Sequence, residues 1–255
     1  VLLIGFIIIL LQIPIGLLHG IIFERQSSRN EAVTDVTSKW GESQALIGPV
    51  LVVPFKRMLK ERRDQDKIVL VEVTEHAIFL PEKLDINTEI TSEVRYRGIY
   101  DVPVYRAEVK LAGHFDKPDF SDWDVKNHHI MWDKARLSIG ISDVQALIGS
   151  SHLQWGESSL QLEPGSYHQE NPGVHAKVDQ STLADDELPF SLSLTLNGSE
   201  NFSVAPVGSQ TEFSMHSNWP DPSFQGEWLP RDKVTPTENG FDAHWSVSLL
   251  GRNYP

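Results

Sequence analysis

The sequence predicts a mainly β protein, in which an antiparallel, β-sandwich-like domain follows one transmembrane α-helix. Three observations support this prediction. The first 23 residues form an apolar run that contains no Asp, Glu, Lys or Arg. Beyond about residue 45, several segments alternate apolar and polar residues with the period of two that is typical of half-buried strands. Dipeptides of Gly, Pro, Asn and Asp separate these segments and favour turns.

Residues 1–23 (VLLIGFIIILLQIPIGLLHGIIF) are predicted to cross a bilayer. As a helix they would extend roughly 33 Å, and the hydrocarbon core of a bilayer is roughly 30 Å thick. A cleaved signal peptide is one alternative, but the run is long and reaches Glu24 without a small-residue cleavage site. A helix buried in a soluble core is the other alternative, and apolar residues on every side argue against it.

One face of this predicted helix differs from the others. Gln12, Gly16, His19 and Gly20 fall at i, i+4, i+7 and i+8, so they share a face. Two glycines four residues apart let another backbone approach closely, and polar side chains within a membrane favour protein neighbours. We interpret this as a packing face for other transmembrane helices. The alternative is that Gly is simply frequent in membrane helices and that His19 extends towards the headgroups.

Residues 24–44 are polar and are predicted to form a juxtamembrane helix, either separate from the first helix or continuous with it. Val33, Val36 and Trp40 recur at helical spacing, and Gly41 is predicted to end the helix. The domain boundaries expected from the sequence are therefore 1–23, 24–44 and 45–255.

Residues 45–255 are predicted to form one β domain, although two stacked β subdomains also fit the pattern. The strongest strand signals are the alternating segments 104–111 and 191–197. Asn197-Gly198 is interpreted as the turn that follows the second of these strands. Ser142 is predicted to cap one short helix.

Composition excludes several classes of function. The chain carries 35 acidic and 22 basic residues, a net charge of −13, which disfavours nucleic-acid binding because phosphates require clustered Lys and Arg. Cysteine is absent, so neither a disulfide framework nor a cysteine-based metal site can form.

Four carboxylates lie close together in the sequence HFDKPDFSDWD, at Asp116, Asp119, Asp122 and Asp124. Such a group can bind calcium or supply an acid and a base. The spacing lacks the glycine and the final glutamate of an EF-hand loop, so the pattern favours a solvated acidic turn.

Histidines and serines give weaker signals. His114, His128, His129 and Asp133 could ligate zinc, but adjacent histidines on a strand point to opposite faces, which favours surface histidines. No G-x-S-x-G or S-x-x-K motif is present, and Ser166 near a histidine does not by itself make a triad. We therefore expect no catalytic residues, no metal and no cofactor.

An aromatic loop is the remaining candidate site. Trp219, Pro220, Pro222, Phe224 and Trp228 lie in the sequence SNWPDPSFQGEWLP. An aromatic-rich loop can bind a sugar or a peptide. It can equally be a rigid loop that closes one end of a sandwich, and the sequence favours this second interpretation.

The same loop resembles the signature of the bacterial CreD family, inner-membrane proteins associated with cell-envelope integrity. The resemblance rests on residues 217–224 (SNWPDPSF) with Gly226, Leu229 and Pro230. Further similar motifs follow the family order: 47–49 (IGP), 79–81 (FLP), 97–100 (RGIY), 141–143 (ISD), 202–208 (FSVAPVG) and 252–255 (RNYP). The resemblance extends over nearly the whole chain.

The resemblance implies one N-terminal transmembrane helix, a large periplasmic domain over residues 24–255, and further C-terminal transmembrane helices that are absent from this fragment. It implies a role in envelope integrity and stress tolerance, and it supplies no catalytic residues. The expected partners are the lipid bilayer, the C-terminal helices, and an envelope protein or glycan ligand. The alternatives are a ligand-binding or sensor module that reports envelope state, and an enzyme acting on cell-wall glycans.

Overall fold

A computed structural model of the 255-residue chain describes residues 2–63, 67–123, 125–126, 129–149, 151–167, 172–232, 234 and 240–252. It contains one long α-helix, α1 (Leu2–Trp40), followed by thirteen strands among these residues. The strands are β1 (Gln44–Arg63), β2 (Lys67–Phe79), β3 (Lys83–Arg97), β4 (Tyr100–Asp116), β5 (Arg136–Ile141), β6 (His152–Trp155), β7 (Ser158–Gln161), β8 (Glu163–Pro164), β9 (Gly173–Lys177), β10 (Glu187–Ser199), β11 (Phe202–Ala205), β12 (Gln210–Ser217) and β13 (Phe241–Ser248).

The helix α1 continues through Pro14 without interruption, so the segment predicted as a juxtamembrane helix continues the first helix. It ends where expected, because the Gly41 amide donates to the Thr37 carbonyl (2.8 Å) and Gly41 has a φ of 149°. Within the described part of the chain, no helix is both long enough and apolar enough to cross a membrane. Val1 lies outside the described residues, and the membrane span over residues 1–23 stays a prediction.

The strands form two sheets. The first sheet has the order β11-β1-β5-β9-β8, and β2 also pairs with β1. The second sheet has the order β13-β12-β3-β4-β10-β6-β7. The mainly β prediction is therefore confirmed, and the short helices described beyond residue 44 are single 3₁₀ turns at Ser121–Trp123, Trp132–Lys134, Val144–Ala146, Gln180–Ala184 and Leu249–Gly251.

The strand pairings are antiparallel as predicted, with two exceptions. β1 pairs with β11 in parallel, and β12 pairs with β3 in parallel. The cause is the path of the chain, which leaves the second sheet after β10, contributes β11 to the first sheet, and then returns as β12. A strand that arrives by such a crossover can enter from the same end as its neighbour, whereas a hairpin cannot produce that direction.

The two strongest strand predictions are confirmed. In β4, Tyr105, Ala107, Val109 and Leu111 are buried and the residues between them are exposed. In β10 the leucines are buried in the same alternation. Buried side chains of both sheets belong to one hydrophobic core, which contains Leu51 and Leu137 of the first sheet as well as Ile86 and Leu192 of the second.

Two local predictions are corrected. Asn197-Gly198 is not a turn, because β10 continues through it and Gly198 pairs with Tyr105. A Cβ on Gly198 would stand 2.4 Å from Cζ of the Tyr105 ring, so this glycine serves close packing within a strand. The helix predicted after Ser142 is only a 3₁₀ turn, and Asp143 caps it by accepting from an amide two residues on (3.1 Å).

Candidate functional site

A groove of about 1080 Å³ lies between α1, the second sheet and the loop that follows β12. We call it the helix-side groove. Its walls include Val33 of the helix, Phe213 and Trp245 of the sheet, and Trp219 and Phe224 of the loop. Its volume is slightly above the range of about 300–1,000 Å³ that is typical of ligand sites, and aromatic side chains of the sheet and of the loop line it.

The loop is attached to the sheet at its beginning. Asn218 directly follows β12, and its side-chain oxygen accepts from the Ser92 amide (2.7 Å) while its side-chain nitrogen donates to the Ser92 carbonyl (3.1 Å). The Trp219 amide donates to the Ser217 hydroxyl (3.2 Å), and the indole N–H of Trp219 donates to the Asp221 carbonyl (3.1 Å). These bonds orient the tryptophan without help from a ligand.

The middle of the loop is held by aromatic packing. Phe224 meets Phe241 and Trp245 edge-on, with ring centroids 5.6 and 5.5 Å apart. Trp245 in turn stacks on Phe213 at 4.8 Å and donates from its indole N–H to the Trp228 carbonyl (3.2 Å). The cluster holds the loop over the sheet and leaves space between the loop and α1.

The predicted loop residues therefore divide into two groups. Trp219, Pro222, Phe224 and Trp228 line the groove, whereas Pro220 is exposed and is not among the lining residues. Phe224 is half-buried, as a residue that rigidifies the loop would be, while Trp219 is 37% exposed. Phe224 thus fits the interpretation of a rigid loop, whereas a binding role for Trp219 stays a prediction.

The helical wall of the groove could not be found from the sequence. Residues Arg29, Asn30, Val33, Thr34 and Thr37 of α1 line the groove. Helical spacing predicted that this segment is a helix, but it contains no motif for a site. Only the docking of α1 against β3 and β4 brings it opposite the loop.

Contacts near its C-terminal end hold α1 in place. The indole N–H of Trp40 donates to the Tyr105 carbonyl (3.1 Å), and the Arg95 guanidinium lies 4.2 Å from the centroid of the Trp40 ring. Arg97 forms an ion pair with Asp35 (3.0 Å). The hydrogen bond from Lys39, with the added charge of Arg97, keeps the pKa of Asp35 below its ordinary value.

Tyr105 also lines the groove, and its hydroxyl donates to the Asn201 carbonyl (2.7 Å). Burial raises the pKa of Tyr105, so the phenol stays a neutral donor. The charged side chains among the described lining residues are Arg29, Glu200, Asp221 and Glu227, and none of the lining residues is a histidine or a cysteine. The groove is therefore suited to hold an apolar or aromatic group, with charges available for a polar end.

The predicted acidic turn has a local structural role. Asp119 accepts from the Ser121 amide (2.8 Å) and hydroxyl (2.9 Å), which lowers the pKa of Asp119 and caps the 3₁₀ turn there. Asp116 is exposed at the end of β4. Asp124 and the side chain of Asp122 lie outside the described residues.

The histidine and serine candidates are not brought together into a described site. His114 lies on β4 opposite Lys83 and Pro189, and His128 lies outside the described residues. No group of three potential metal ligands occurs in the part of the chain that the structure describes. His168, the histidine near Ser166 in the sequence, lies outside the described residues.

A serine–histidine–carboxylate chain that sequence reasoning missed lies on the opposite face of the second sheet. The Ser214 hydroxyl is 3.0 Å from Nδ1 of His244, and Nε2 of His244 is 3.1 Å from Glu212. The order is that of a nucleophile, a base and a carboxylate. However, β12 is paired on both sides, by β13 and β3, so its backbone amides are used in the ladders and cannot supply an oxyanion hole at Ser214.

The predicted helix-packing face is uncovered. Apart from the neighbouring backbone of α1 itself, no described atom lies within 4 Å of where a Cβ on Gly16 or Gly20 would stand, and Gln12 and His19 are exposed. Nδ1 of His19 is 2.8 Å from the Ile15 carbonyl, which gives the ring a partner within its own helix. A packing role for this face stays a prediction.

Comparison with known proteins identifies the family. The model of the family described as "Inner membrane protein CreD" matches residues 1–255. The chain is 29% identical over 247 residues to the inner membrane protein CreD of Escherichia coli strain K12, covering 96% of this chain and 54% of that protein. The chain thus spans about half the length of this relative. No solved structure matches the chain. The match over the full length of the sequence shows that this chain belongs to the CreD family of inner membrane proteins.

Proposed function

We propose that this chain is the membrane-anchored part of an inner membrane protein whose β domain lies in the periplasm. In this proposal residues 1–23 cross the bilayer, residues 24–255 lie in the periplasm, and the two sheets stack as a sandwich. The apolar side chains described between Leu3 and Phe23 support the span, because their large hydrophobic members are 52% to 77% exposed. Such a surface on all sides of a helix suits lipid and is unfavourable in water.

The proposed role is to contribute to cell-envelope integrity and stress tolerance by binding, without catalysis. The single observation that supports binding is the helix-side groove, whose aromatic loop is attached to the sheet before any ligand arrives. A preorganised groove loses little conformational freedom on binding. The pairing of β12 on both sides, which occupies its own backbone amides, supports a non-catalytic role.

The ligand that we propose for the groove is an amphipathic molecule from the adjacent membrane. Arg29, where the helical wall of the groove begins, follows Phe23 by six residues, or about 9 Å of helix. The groove therefore opens within reach of the proposed membrane surface. Its aromatic lining suits an acyl or prenyl chain, and its charged residues, Arg29 with Glu200, Asp221 and Glu227, suit a polar headgroup.

A sensor role is the second candidate, and one observation favours it. The same helix forms a wall of the groove and carries the apolar segment, so a ligand in the groove would touch a residue such as Val33 directly. Binding could then bias the position of the helix within the membrane.

The test uses cells that depend on the full-length protein for envelope integrity, measured as exclusion of a hydrophobic fluorescent dye. Trp219→Ala should raise dye entry, and lipids that copurify with the wild-type protein should be lost from the variant. Trp123→Ala is the matched control, because Trp123 is 38% exposed against 37% for Trp219 and lies outside the groove. Equal dye entry and equal copurified lipid in both variants, at equal protein abundance, would refute the groove as the functional site.

A further inference from the structure

The hairpin formed by β3 and β4 extends along α1, and its tip lies beside the end of the apolar segment. The Tyr100 hydroxyl is 3.4 Å from the carbonyl oxygen of Arg25. Arg25 follows Phe23, the last residue of the apolar run, by two positions, or about 3 Å of helix. The tip of the hairpin therefore lies at the level where the apolar run ends.

The other contacts between the hairpin and the helix give the same alignment. Arg97 pairs with Asp35, and Arg95 lies over Trp40. Arg97 is the cross-strand partner of Tyr100 and is therefore equally near the tip, whereas Arg95 is further from the tip and meets the end of the helix that is remote from the apolar run. The hairpin points towards the N-terminal half of the helix, with residues 97–100 foremost.

The tip exposes side chains that water does not favour. Ile99 is 82% exposed and Tyr96 is 74% exposed. Residues 94–100 (VRYRGIY) contain no acidic residue, although the whole chain carries a net charge of −13. Tyrosine is enriched where a membrane meets water, because its ring is apolar and its hydroxyl is polar.

We propose that the β3–β4 hairpin tip, residues 94–100, is a second membrane contact of this protein. Ile99 enters the acyl boundary, and Tyr96 and Tyr100 lie at headgroup level. The inference rests on the proposed function, since it requires residues 1–23 to cross the bilayer. A second contact beside the helix would restrain the tilt of the β domain relative to the membrane.

The contact is expected to be apolar and aromatic, not electrostatic. Arg97 is paired with Asp35, and Arg95 is paired with Glu93 (2.6 Å), so the charges of both arginines are offset locally. Adding salt should therefore change the contact little, because salt screens exposed charges and leaves apolar burial in place.

These 255 residues contain no cysteine, so a cysteine introduced among them is the only labelling site in this part of the protein. Any cysteine elsewhere in the full-length protein would first be replaced by serine. The full-length protein would be reconstituted in vesicles of phosphatidylcholine and phosphatidylglycerol, with a polarity-sensitive fluorophore at Ile99→Cys. We expect blue-shifted emission and quenching by phospholipids that carry a spin label near the headgroup, at low and at high salt. Asp116→Cys is the control, because residue 116 is exposed at the opposite end of β4, on the order of 50 Å away.

A third label, at Phe23→Cys, separates the two proposals. If Phe23 is quenched but Ile99 is quenched no more than Asp116, the hairpin contact is refuted and the membrane span stands. If neither Phe23 nor Ile99 is quenched, the proposed span fails and the hairpin contact fails with it. Quenching at Ile99 that disappears at high salt would assign the contact to the arginines and overturn the apolar contact. Thermal unfolding of each labelled variant checks that the fold is kept.

Discussion

Replacing Gly198 by Ala tests the close packing found inside β10. The new Cβ would stand 2.4 Å from both Cζ and the hydroxyl oxygen of Tyr105. Carbon atoms pack at about 3.5 Å or more, so the ring must move by about 1 Å. Tyr105 is buried and its hydroxyl donates to the Asn201 carbonyl, so the movement both strains the core and weakens a hydrogen bond.

The expected loss of stability combines these two effects. Forcing a methyl group into a well-packed site costs about 1–3 kcal/mol, and losing one hydrogen bond costs about 1 kcal/mol. We therefore expect Gly198→Ala to lower the free energy of unfolding by about 2–4 kcal/mol. Because Tyr105 lines the helix-side groove, ligand binding should weaken as well.

The assay is urea unfolding followed by tryptophan fluorescence, with Gly140→Ala as the matched control. Gly140 also lies in a strand, but its Cβ would meet the nearest atom, on Ile47, at an ordinary 3.4 Å. The control should change stability by well under the value expected for Gly198→Ala. If the two variants unfold at the same urea concentration with the same slope, the proposed steric conflict with Tyr105 is wrong.

Four further predictions follow from other parts of the molecule. Gly16→Leu with Gly20→Leu should lower the amount of full-length protein assembled in the membrane, measured by quantitative immunoblotting, because bulk would then separate packed helices. Asn218→Ala should remove two hydrogen bonds and speed amide exchange at the start of the aromatic loop, at a cost of about 1–2 kcal/mol. Asp119→Asn should make the free energy of unfolding less sensitive to acid. Folding lowers the pKa of Asp119, so its carboxylate stabilises the folded state above the ordinary pKa of 3.8, and this contribution is lost as the pH falls through the folded-state pKa. Ser214→Ala should leave ester hydrolysis by purified protein at the wild-type level, and elemental analysis of that protein should find no stoichiometric zinc.

Each of these predictions has a contrasting outcome. Ile15→Leu with Ile22→Leu is the control for the glycine pair. If both double variants are equally abundant in the membrane, Gly16 and Gly20 do not form a packing face and α1 serves only as an anchor. Unchanged exchange after Asn218→Ala would show that the loop is held by its aromatic cluster alone. If the free energy of unfolding falls equally at acid pH in wild type and Asp119→Asn, Asp119 does not contribute to the pH dependence of stability. A wild-type esterase activity that Ser214→Ala abolishes would favour the enzyme alternative.

The sequence alone determined the features that depend on local periodicity. Alternation in β4 and β10 predicted strands because successive side chains point to opposite faces and one face is buried. The helical spacing of Val33, Val36 and Trp40 and the position of Gly41 predicted the end of α1. The family resemblance, based on the aromatic loop and on motifs along the chain, was confirmed over residues 1–255.

Only the tertiary structure decided how distant segments meet. The strand alternation could not reveal the parallel pairings of β11 and β12, because it is the same for either direction. The sequence Asn197-Gly198 is the same whether the glycine forms a turn or packs against a tyrosine ring within a strand. Only the pairing of Gly198 with Tyr105 distinguishes these two structures. The aromatic loop was predicted as a candidate, but its opposite wall comes from a helix about 190 residues earlier, whose position depends on long-range contacts such as that of Trp40 with Tyr105. Periodicity reports which face of an element is apolar, whereas a groove is made by what that face is packed against.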